Sequence, residues 1–188
     1  MRYGYSHDLT FALPAIGWMF NQSLPFNAQT LVKHYPWNPS HMFNFFVSHS
    51  QWNLKEVRKL VGTNAKIVTI LRDPIEVFES GYVYFGLQKA YNIDINQFME
   101  QYILQDPLRS PRMIFGKNQL LYNLGMHAEQ MESDLEVDKM IQEIDKNFDL
   151  VMLTERMEES IVLMKNLLCW DLKDVAHLKV SNLCFIGI

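Results

Sequence analysis

Apolar positions along the chain fall into two patterns: short continuous runs, which predict strands, and runs with a period of three to four residues, which predict amphipathic helices. Strands are predicted over residues 43–48, 66–71 and 150–153. Helices are predicted over residues 54–61, 75–85, 94–105 and 134–148, with a last helix starting at Thr154. Residues 1–42 are rich in proline and aromatic side chains, which predicts an irregular segment lying over a core.

Residues 43–85 predict the order strand, helix, strand, helix. The run over 66–71 is almost unbroken in β-branched and aliphatic residues, as in strands buried on both faces of a parallel sheet. Asp73 is placed to cap the following helix, and Pro74 occupies its first position. This order is the βαβ unit of an open α/β sheet, whose ligands bind beyond the carboxyl ends of the strands. We therefore expect an α/β fold, with a βαβα unit over 43–85 and a mainly helical part over 86–188.

Composition excludes several classes of protein. The 188 residues carry a formal net charge of −4, so we expect no general attraction to nucleic acid or anionic lipid. The two cysteines form neither a disulfide framework nor a zinc cluster, and the histidines lack metal-ligand spacing. No apolar run approaches the roughly 20 residues of a membrane span, and the first residues lack the features of a signal peptide. Any anion site is therefore expected to be local, and no metal is expected.

A candidate anion site follows the predicted strand over 66–71. Arg72 lies at the carboxyl end of that strand, and Ser80 follows eight residues later on the next predicted helix. A guanidinium fork and a hydroxyl that face one crevice can bind one phosphate. The alternative is an ordinary helix start, in which Arg72 pairs with Glu76 or Asp73 and Ser80 is simply exposed. The residues alone leave both interpretations open.

The arrangement R-D-P-x-x-x-x-x-S after an aliphatic strand resembles the 3′-phosphate-binding motif of sulfotransferases that use 3′-phosphoadenosine 5′-phosphosulfate. From near residue 7 to near residue 181, separated blocks in the same order resemble, more narrowly, the galactose-3-O-sulfotransferase family. Those blocks are DLTFALP at 8–14, NLKEVR at 53–58, FES at 78–80, FDLV at 148–151 and CWDLKDV at 169–175. Several blocks matched in order are far more specific than the motif at 72–80 alone.

The resemblance implies a P-loop-NTPase-like sulfotransferase fold, a parallel sheet flanked by helices, which is incomplete in this chain. It implies transfer of sulfate from 3′-phosphoadenosine 5′-phosphosulfate to the 3-hydroxyl of galactose, on a glycolipid of the galactosylceramide type or on a glycan. Arg72 and Ser80 would then hold the 3′-phosphate of the donor. His49, at a histidine position of the family, would be the base for the acceptor hydroxyl. Its alternative role is to cap the helix that follows.

Two further groups of residues are candidates for a function. Tyr82, Tyr84 and Phe85 continue the predicted helix of Ser80 and either stack on a sugar or, at helical spacing, pack in a core. Asn21 begins the sequence Asn-Gln-Ser and is a candidate N-glycosylation site.

The resemblance also implies a longer protein. In this family the membrane anchor and a lysine-containing loop for the 5′-phosphosulfate precede the block near His7, so we expect a Golgi membrane enzyme with a lumenal catalytic part. The first hypothesis is thus a partial sulfotransferase domain over 1–188. The second is a catalytically inactive paralogue that retains part of the nucleotide site, and the third is a sulfotransferase for another acceptor, such as a glycosaminoglycan. Low solubility is expected for the isolated chain, because the strand over 67–71 would keep an unpaired edge.

Overall fold

The computed structural model describes residues 2–14, 19–20, 24–30, 42–104 and 118–176. The strands are β1 Phe11–Ala12, β2 Phe45–Phe46, β3 Val68–Leu71 and β4 Leu150–Leu153. The α-helices are α1 Arg2–Ser6, α2 Leu54–Val61, α3 Pro74–Tyr84, α4 Leu87–Tyr91, α5 Ile95–Phe98, α6 Gln119–Asn123, α7 Asp134–Asn147, α8 Met157–Leu167 and α9 Leu172–Val175. Helical turns of other types are the 3-10 helices Ala28–Thr30, Ala128–Glu132 and Thr154–Arg156 and the π-helix Met99–Leu104. The predicted strand over 150–153 is confirmed.

Strands β1 and β2 form a short parallel pair with an aromatic core. The pairing continues beyond the strands through single parallel bridges, Met19 with His49 and Pro25 with Gln51. The ring centroids of Phe20, Phe26 and Phe46 lie 4.7, 4.9 and 5.5 Å apart. Ala12 of β1 and Leu60 of α2 are completely buried in the same cluster. Helix α2 therefore closes this pair through side-chain packing.

Strands β3 and β4 form the second parallel pair, in register from Val68–Leu150 to Leu71–Leu153. Helix α8 packs on β4, where the buried Ser160 hydroxyl accepts from the Leu153 N–H at 3.0 Å and lies 3.2 Å from the Leu153 carbonyl oxygen. The prediction that the strand over 66–71 is buried on both faces is wrong for β3, which is only half-buried along its length. The reason is that the elements in the described part of the chain cover the two faces of β3 only in part.

Trp52 links the two strand pairs. Its backbone N–H donates to the Asn123 carbonyl oxygen at 2.8 Å, and its ring lies 5.3 Å from the ring of Phe148, just before β4. Gly125 packs so closely on Trp52 that a Cβ there would lie 2.5 Å from the Trp52 carbonyl oxygen. Strands β2 and β3, expected in one βαβ sheet, belong to separate pairs among the described residues. The P-loop-NTPase-like fold stays a prediction.

Side-chain caps confirm the predicted starts of α2 and α3. Asn53 accepts from the backbone N–H of Glu56 at 3.3 Å, and Gly62 ends α2 with a φ of 81°. Asp73 accepts from the N–H of Ile75 at 2.9 Å, and Pro74 is the first residue of α3. These signals act within one helical turn, which is why the sequence alone predicts them.

Two predicted helices differ in their geometry. The helix predicted over 94–105 begins with the expected cap at Asp94 but is α-helical only to Phe98, where the π-helix follows. The last predicted helix begins with a 3-10 turn, and α8 proper starts at Met157. In this second case the hydrogen bonds between Ser160 and Leu153 hold the start of α8 against the end of β4, which leaves only a tight turn between them.

Candidate functional site

The carboxyl ends of β3 and β4 lie side by side because the two strands are parallel and in register. Arg72 and Asp73 follow β3 at this edge, and Glu155 follows β4. The Asp73 N–H donates to Glu155 Oε1 at 2.6 Å and so links the two strand ends. This hydrogen bond, helped by the positive charge of Arg72, keeps the pKa of Glu155 below its ordinary value. A charged edge thus forms where parallel sheets bind their ligands.

Arg72 forms an ion pair at this edge. Its Nε donates to Oε2 of Glu76 at 2.8 Å, and its Nη2 lies 2.7 Å from the same oxygen as an ion-pair contact. The Arg72 side chain is 20% exposed and that of Glu76 is 50% exposed. This pair is one of the two interpretations that the sequence leaves open, whereas Asp73, the other suggested partner, caps α3. An ion pair with a half-exposed partner of this kind contributes little to stability.

Ser80 is half-buried on α3, one helical turn after Glu76. Residues four apart on a helix lie on the same side, so Glu76 and Ser80 are neighbours. Arg72, one of the two side chains predicted to hold a phosphate, is thus bonded to the acidic residue one helical turn before the other. The roles of Arg72 and Ser80 in binding a 3′-phosphate remain predictions.

The three aromatic residues after Ser80 divide into a core residue and a surface pair. The Tyr82 hydroxyl donates to the Ile93 carbonyl oxygen, and its ring is buried against Phe98. Tyr84 and Phe85 are exposed and form an edge-to-face pair with centroids 5.1 Å apart. The core interpretation is therefore correct for Tyr82 and wrong for the other two.

His49 belongs to the other strand pair, where it follows β2. Its carbonyl oxygen accepts from the Phe20 N–H at 2.8 Å, and the residue is half-buried. The alternative role of His49 as a helix cap is wrong, because the Asn53 side chain caps α2. His49 as a catalytic base remains a prediction.

Gln51 is a buried polar residue to which the sequence analysis gives no role. It is 3% exposed, and neither oxygen nor nitrogen of its carboxamide has a hydrogen-bond partner among the described residues. Alternate residues of an extended segment point to the same side, so Gln51 shares a face with His49. A glutamine at a strand end carries no sequence signal of burial.

Glu155 is the second residue that sequence reasoning missed. Its partner Asp73 lies 82 positions earlier in the chain. The available signal is an acidic residue two positions after the predicted strand over 150–153, the same relative position that Asp73 has after the strand over 66–71. That signal becomes useful only once the two strands are known to be parallel neighbours.

A mainly apolar pocket of about 260 Å³ lies beside the first turn of α3. It is lined by Pro74, Val77 and Phe78 of α3 and by residues 118–121 at the start of α6. Pro74 borders the pocket, and Arg72 lies two residues before it. The pocket therefore lies beside the same helix start that follows Arg72.

The described part of the chain contains neither a candidate metal site nor a candidate membrane-spanning helix. Within it, no group of three or more His, Cys, Asp or Glu side chains is arranged to hold a metal ion. Of the helices in residues 2–14, 24–30, 42–104 and 118–176, none has the length and apolar character needed to cross a bilayer. Asn21, the candidate glycosylation site, lies outside the described residues.

Comparison with known proteins adds the family. The sequence profile named galactose-3-O-sulfotransferase matches residues 1–183. Over 187 residues the chain is 36% identical to galactosylceramide sulfotransferase of Homo sapiens and 35% identical to that of Bos taurus. Over 203 residues it is 30% identical to galactose-3-O-sulfotransferase 2 of Sus scrofa. No solved structure matches the chain.

These matches cover 96% of this chain but only 43% to 46% of the relatives, so the chain spans less than half the length of the curated relatives that it matches. Each of these relatives is a sulfotransferase by name, which defines the class. Because the family profile covers almost the whole sequence, the chain belongs to the galactose-3-O-sulfotransferase family, and the resemblance drawn from the sequence blocks is confirmed.

Proposed function

We propose that this chain is the part of a sulfotransferase that holds the 3′-phosphate of 3′-phosphoadenosine 5′-phosphosulfate. The enzyme transfers the sulfate to the 3-hydroxyl of galactose, in a glycolipid of the galactosylceramide type or in a glycan. The observation that carries the proposal is the Arg72 guanidinium at the carboxyl end of β3, beside the start of α3. The family profile and the names of the relatives favour this enzyme over an inactive paralogue.

The residues at this edge have the chemistry that a phosphate needs. Arg72 offers N–H donors in a planar fork, which matches the spacing of phosphate oxygens. Ser80 adds a hydroxyl on the side of α3 where Glu76, the partner of Arg72, also lies. The apolar pocket beside Pro74 suits the flat base of a nucleotide whose phosphate lies at Arg72.

The transfer itself requires a group that takes one proton. The bond between sulfur and the donor's phosphate oxygen breaks, and its electron pair stays on that oxygen. A new bond forms between sulfur and the 3-hydroxyl oxygen of galactose. We assign the hydroxyl proton to the imidazole of His49, because an imidazole accepts a proton readily near neutral pH. Arg72 and Ser80 hold the donor in place and do not take part in proton transfer.

The cellular setting is part of the same proposal. We place the enzyme on the lumenal side of the Golgi membrane, attached by a segment outside these residues, with Asn21 as a glycan site. Microscopy of the tagged full protein with a Golgi marker tests the compartment. A shift in gel mobility after glycosidase treatment, absent in Asn21→Gln, tests the glycan.

The nucleotide site is tested by calorimetry with adenosine 3′,5′-bisphosphate. Arg72→Ala is expected to weaken binding by about tenfold or more, and Ser80→Ala by about threefold to tenfold, since each removes hydrogen bonds to a charged group. The matched control is Arg156→Ala, which removes an exposed arginine that also pairs with a glutamate. Unchanged affinity in Arg72→Ala would contradict the proposed site.

The reaction is tested with the full protein, a radiolabelled sulfate donor and three acceptors: galactosylceramide, a galactose-terminated glycan and a glycosaminoglycan. Transfer to either of the first two is expected. His49→Ala should lower kcat by about a hundredfold or more, as for loss of a general base, while His7→Ala, which removes an exposed histidine, leaves it unchanged. Transfer only to the glycosaminoglycan would overturn the acceptor, and no transfer at all would favour the inactive paralogue.

A further inference from the structure

The Arg72–Glu76 ion pair places a single carboxylate oxygen against one edge of the guanidinium. Nε donates a hydrogen bond to Oε2 of Glu76, and Nη2, the other nitrogen of that edge, lies 2.7 Å from the same oxygen. An arginine edge binds an oxyanion best when each N–H has an oxygen of its own, in two parallel bonds. The edge is thus occupied by a ligand that does not use it fully.

The described carboxylates near Arg72 differ in how firmly they are held. Those of Asp73, Glu76 and Glu155 lie at the same strand ends as Arg72. Two of them are anchored to the backbone: Asp73 accepts from the N–H of Ile75, and Glu155 accepts from the N–H of Asp73. Among the described residues the Glu76 carboxylate bonds to Arg72 alone, and it is half exposed. Glu76 is therefore the carboxylate that can leave.

We propose that Glu76 is a built-in competitor for the anion site at Arg72, which it occupies in the ligand-free protein and vacates when a 3′-phosphate binds. This inference rests on the proposed function. Glu76 is thereby a positioning residue: it keeps the Arg72 side chain in the binding geometry through an i, i+4 bond but lowers the affinity for the phosphate. Competition by Glu76 would weaken the binding of both the sulfate donor and the nucleotide product, because both carry the same 3′-phosphate.

Replacement of the Glu76 carboxylate by a phosphate at Arg72 is expected to be favourable. A phosphate gives each N–H donor of the Arg72 edge a separate oxygen and carries more charge than a carboxylate. The Glu76 carboxylate, half exposed already, moves into water at small cost, as exposed ion pairs contribute little. Ser80, one turn further along α3, then reaches the phosphate at the place that Glu76 has left.

Calorimetry on the full chain tests the proposal, with adenosine 3′,5′-bisphosphate and adenosine 5′-monophosphate as probes. Glu76→Gln keeps the shape of the side chain and removes its charge. We expect it to tighten binding of the bisphosphate by about threefold to tenfold, the range for removing one weak competing ion pair. The monophosphate lacks the 3′-phosphate, so its affinity should not change. In the double variant Arg72→Ala/Glu76→Gln the gain should disappear.

Glu159→Gln serves as the control, because it causes the same change in net charge by breaking another Arg–Glu pair. Equal gains for the two nucleotides, or a gain in Glu159→Gln as large as in Glu76→Gln, would show a general charge effect and overturn the proposal. Unchanged or weaker binding in Glu76→Gln, with Arg72→Ala still losing affinity, overturns the competitor role and leaves the proposed function standing. Binding that ignores Arg72→Ala overturns both.

Discussion

The two parallel strand pairs are stabilised in different ways. The β1–β2 pair is held by packing: three phenylalanine rings and the fully buried Leu60 enclose it. The β3–β4 pair is half exposed and has charged groups at both ends, Lys66 with Asp149 before the strands and Arg72 with Glu76 after them. The second pair can therefore present charge to a ligand, which a closed aromatic core cannot.

The same contrast distinguishes the surroundings of the two candidate functional residues, Arg72 and His49. Arg72 lies at a charged strand end, where a phosphate finds donors. His49 and Gln51 follow the aromatic pair, where the Gln51 carboxamide is buried without a hydrogen-bond partner among the described residues. An imidazole suits proton transfer, whereas a guanidinium at a charged edge suits anion binding. This division supports giving the donor to one strand pair and the acceptor to the other.

The largest expected loss of stability comes from truncating a buried side chain in the core of the β1–β2 pair. Leu60→Ala removes a completely buried side chain and should lower the free energy of unfolding by about 3–4 kcal/mol. Met152→Ala, its counterpart on β4, should cost only about 2 kcal/mol, because exposed neighbours let the site refill with water. Urea unfolding followed by tryptophan fluorescence measures both. Equal losses would mean that the two pairs are equally well packed, contrary to the comparison.

The junction between the pairs gives the next effect. Gly125 has a φ of 101° and lies against the Trp52 carbonyl oxygen, so Gly125→Ala adds backbone strain and a clash. We expect a loss of about 2–3 kcal/mol from these two sources together. Gly86→Ala is the control, since Gly86 has a φ of 61° but nothing within 4 Å of its added Cβ, and should cost about 1 kcal/mol.

Both glycine variants are read by urea unfolding with fluorescence and circular dichroism together. If Trp52 couples the strand pairs, Gly125→Ala shifts both signals by the same amount. Separate transitions for the two signals would mean that the pairs unfold independently. Equal costs in Gly125→Ala and Gly86→Ala would rule out the close contact with Trp52.

Sequence reasoning succeeded where the cause is local. The caps at Asn53 and Asp73 and the strand over 150–153 depend on a few neighbouring residues, and all three are confirmed. The position of Arg72 at the end of β3 is predictable for the same reason, since a charged residue directly after an aliphatic run stands out, whereas its role stays a prediction.

The remainder depends on partners that are distant in sequence. The bond between Glu155 and the Asp73 N–H, 82 residues apart, exists only because β4 lies beside β3. The partial burial of β3, and its separation from β2 among the described residues, depend on contacts between distant parts of the chain, which no single run of residues encodes. Arg72 shows the boundary: its position was predictable, but the choice of Glu76 over Asp73 as its partner needed the helix geometry.

The ion pair before β3 and β4 gives a smaller effect that depends on pH. Lys66 lies 2.8 Å from Asp149, whose carboxylate also accepts from the Ile67 N–H at 2.8 Å. The bond from Lys66, followed by that from Ile67, lowers the pKa of Asp149 below its ordinary value. A lowered pKa stabilises the fold above the unfolded-state pKa, and this contribution disappears as the pH falls through the folded-state pKa.

Asp149→Asn is therefore expected to cost about 1 kcal/mol at pH 7, a value reduced by partial exposure of the pair. The difference from the wild type should shrink once the pH falls below about 4. Urea midpoints measured at pH 7 and below pH about 4 give the difference in stability between variant and wild type. Asp138→Asn, on the exposed side of α7, is the control. A cost that stays constant on acidification would show that shape and not charge is responsible.

The smallest effect on stability is expected from Glu159→Gln. This variant allows a comparison of two ion pairs near the ends of β3 and β4, Arg156–Glu159 and Arg72–Glu76. Arg156 and Glu159 form two bonds, at 2.9 and 3.0 Å, which is better hydrogen-bond geometry than that of Arg72 and Glu76. Their side chains are nevertheless 67% and 59% exposed, so water and salt screen the attraction. The urea midpoint should stay within measurement error. A clear loss that high salt removes would instead mean that exposed ion pairs stabilise this fold, and Glu76 would then be too firmly held to act as a competitor.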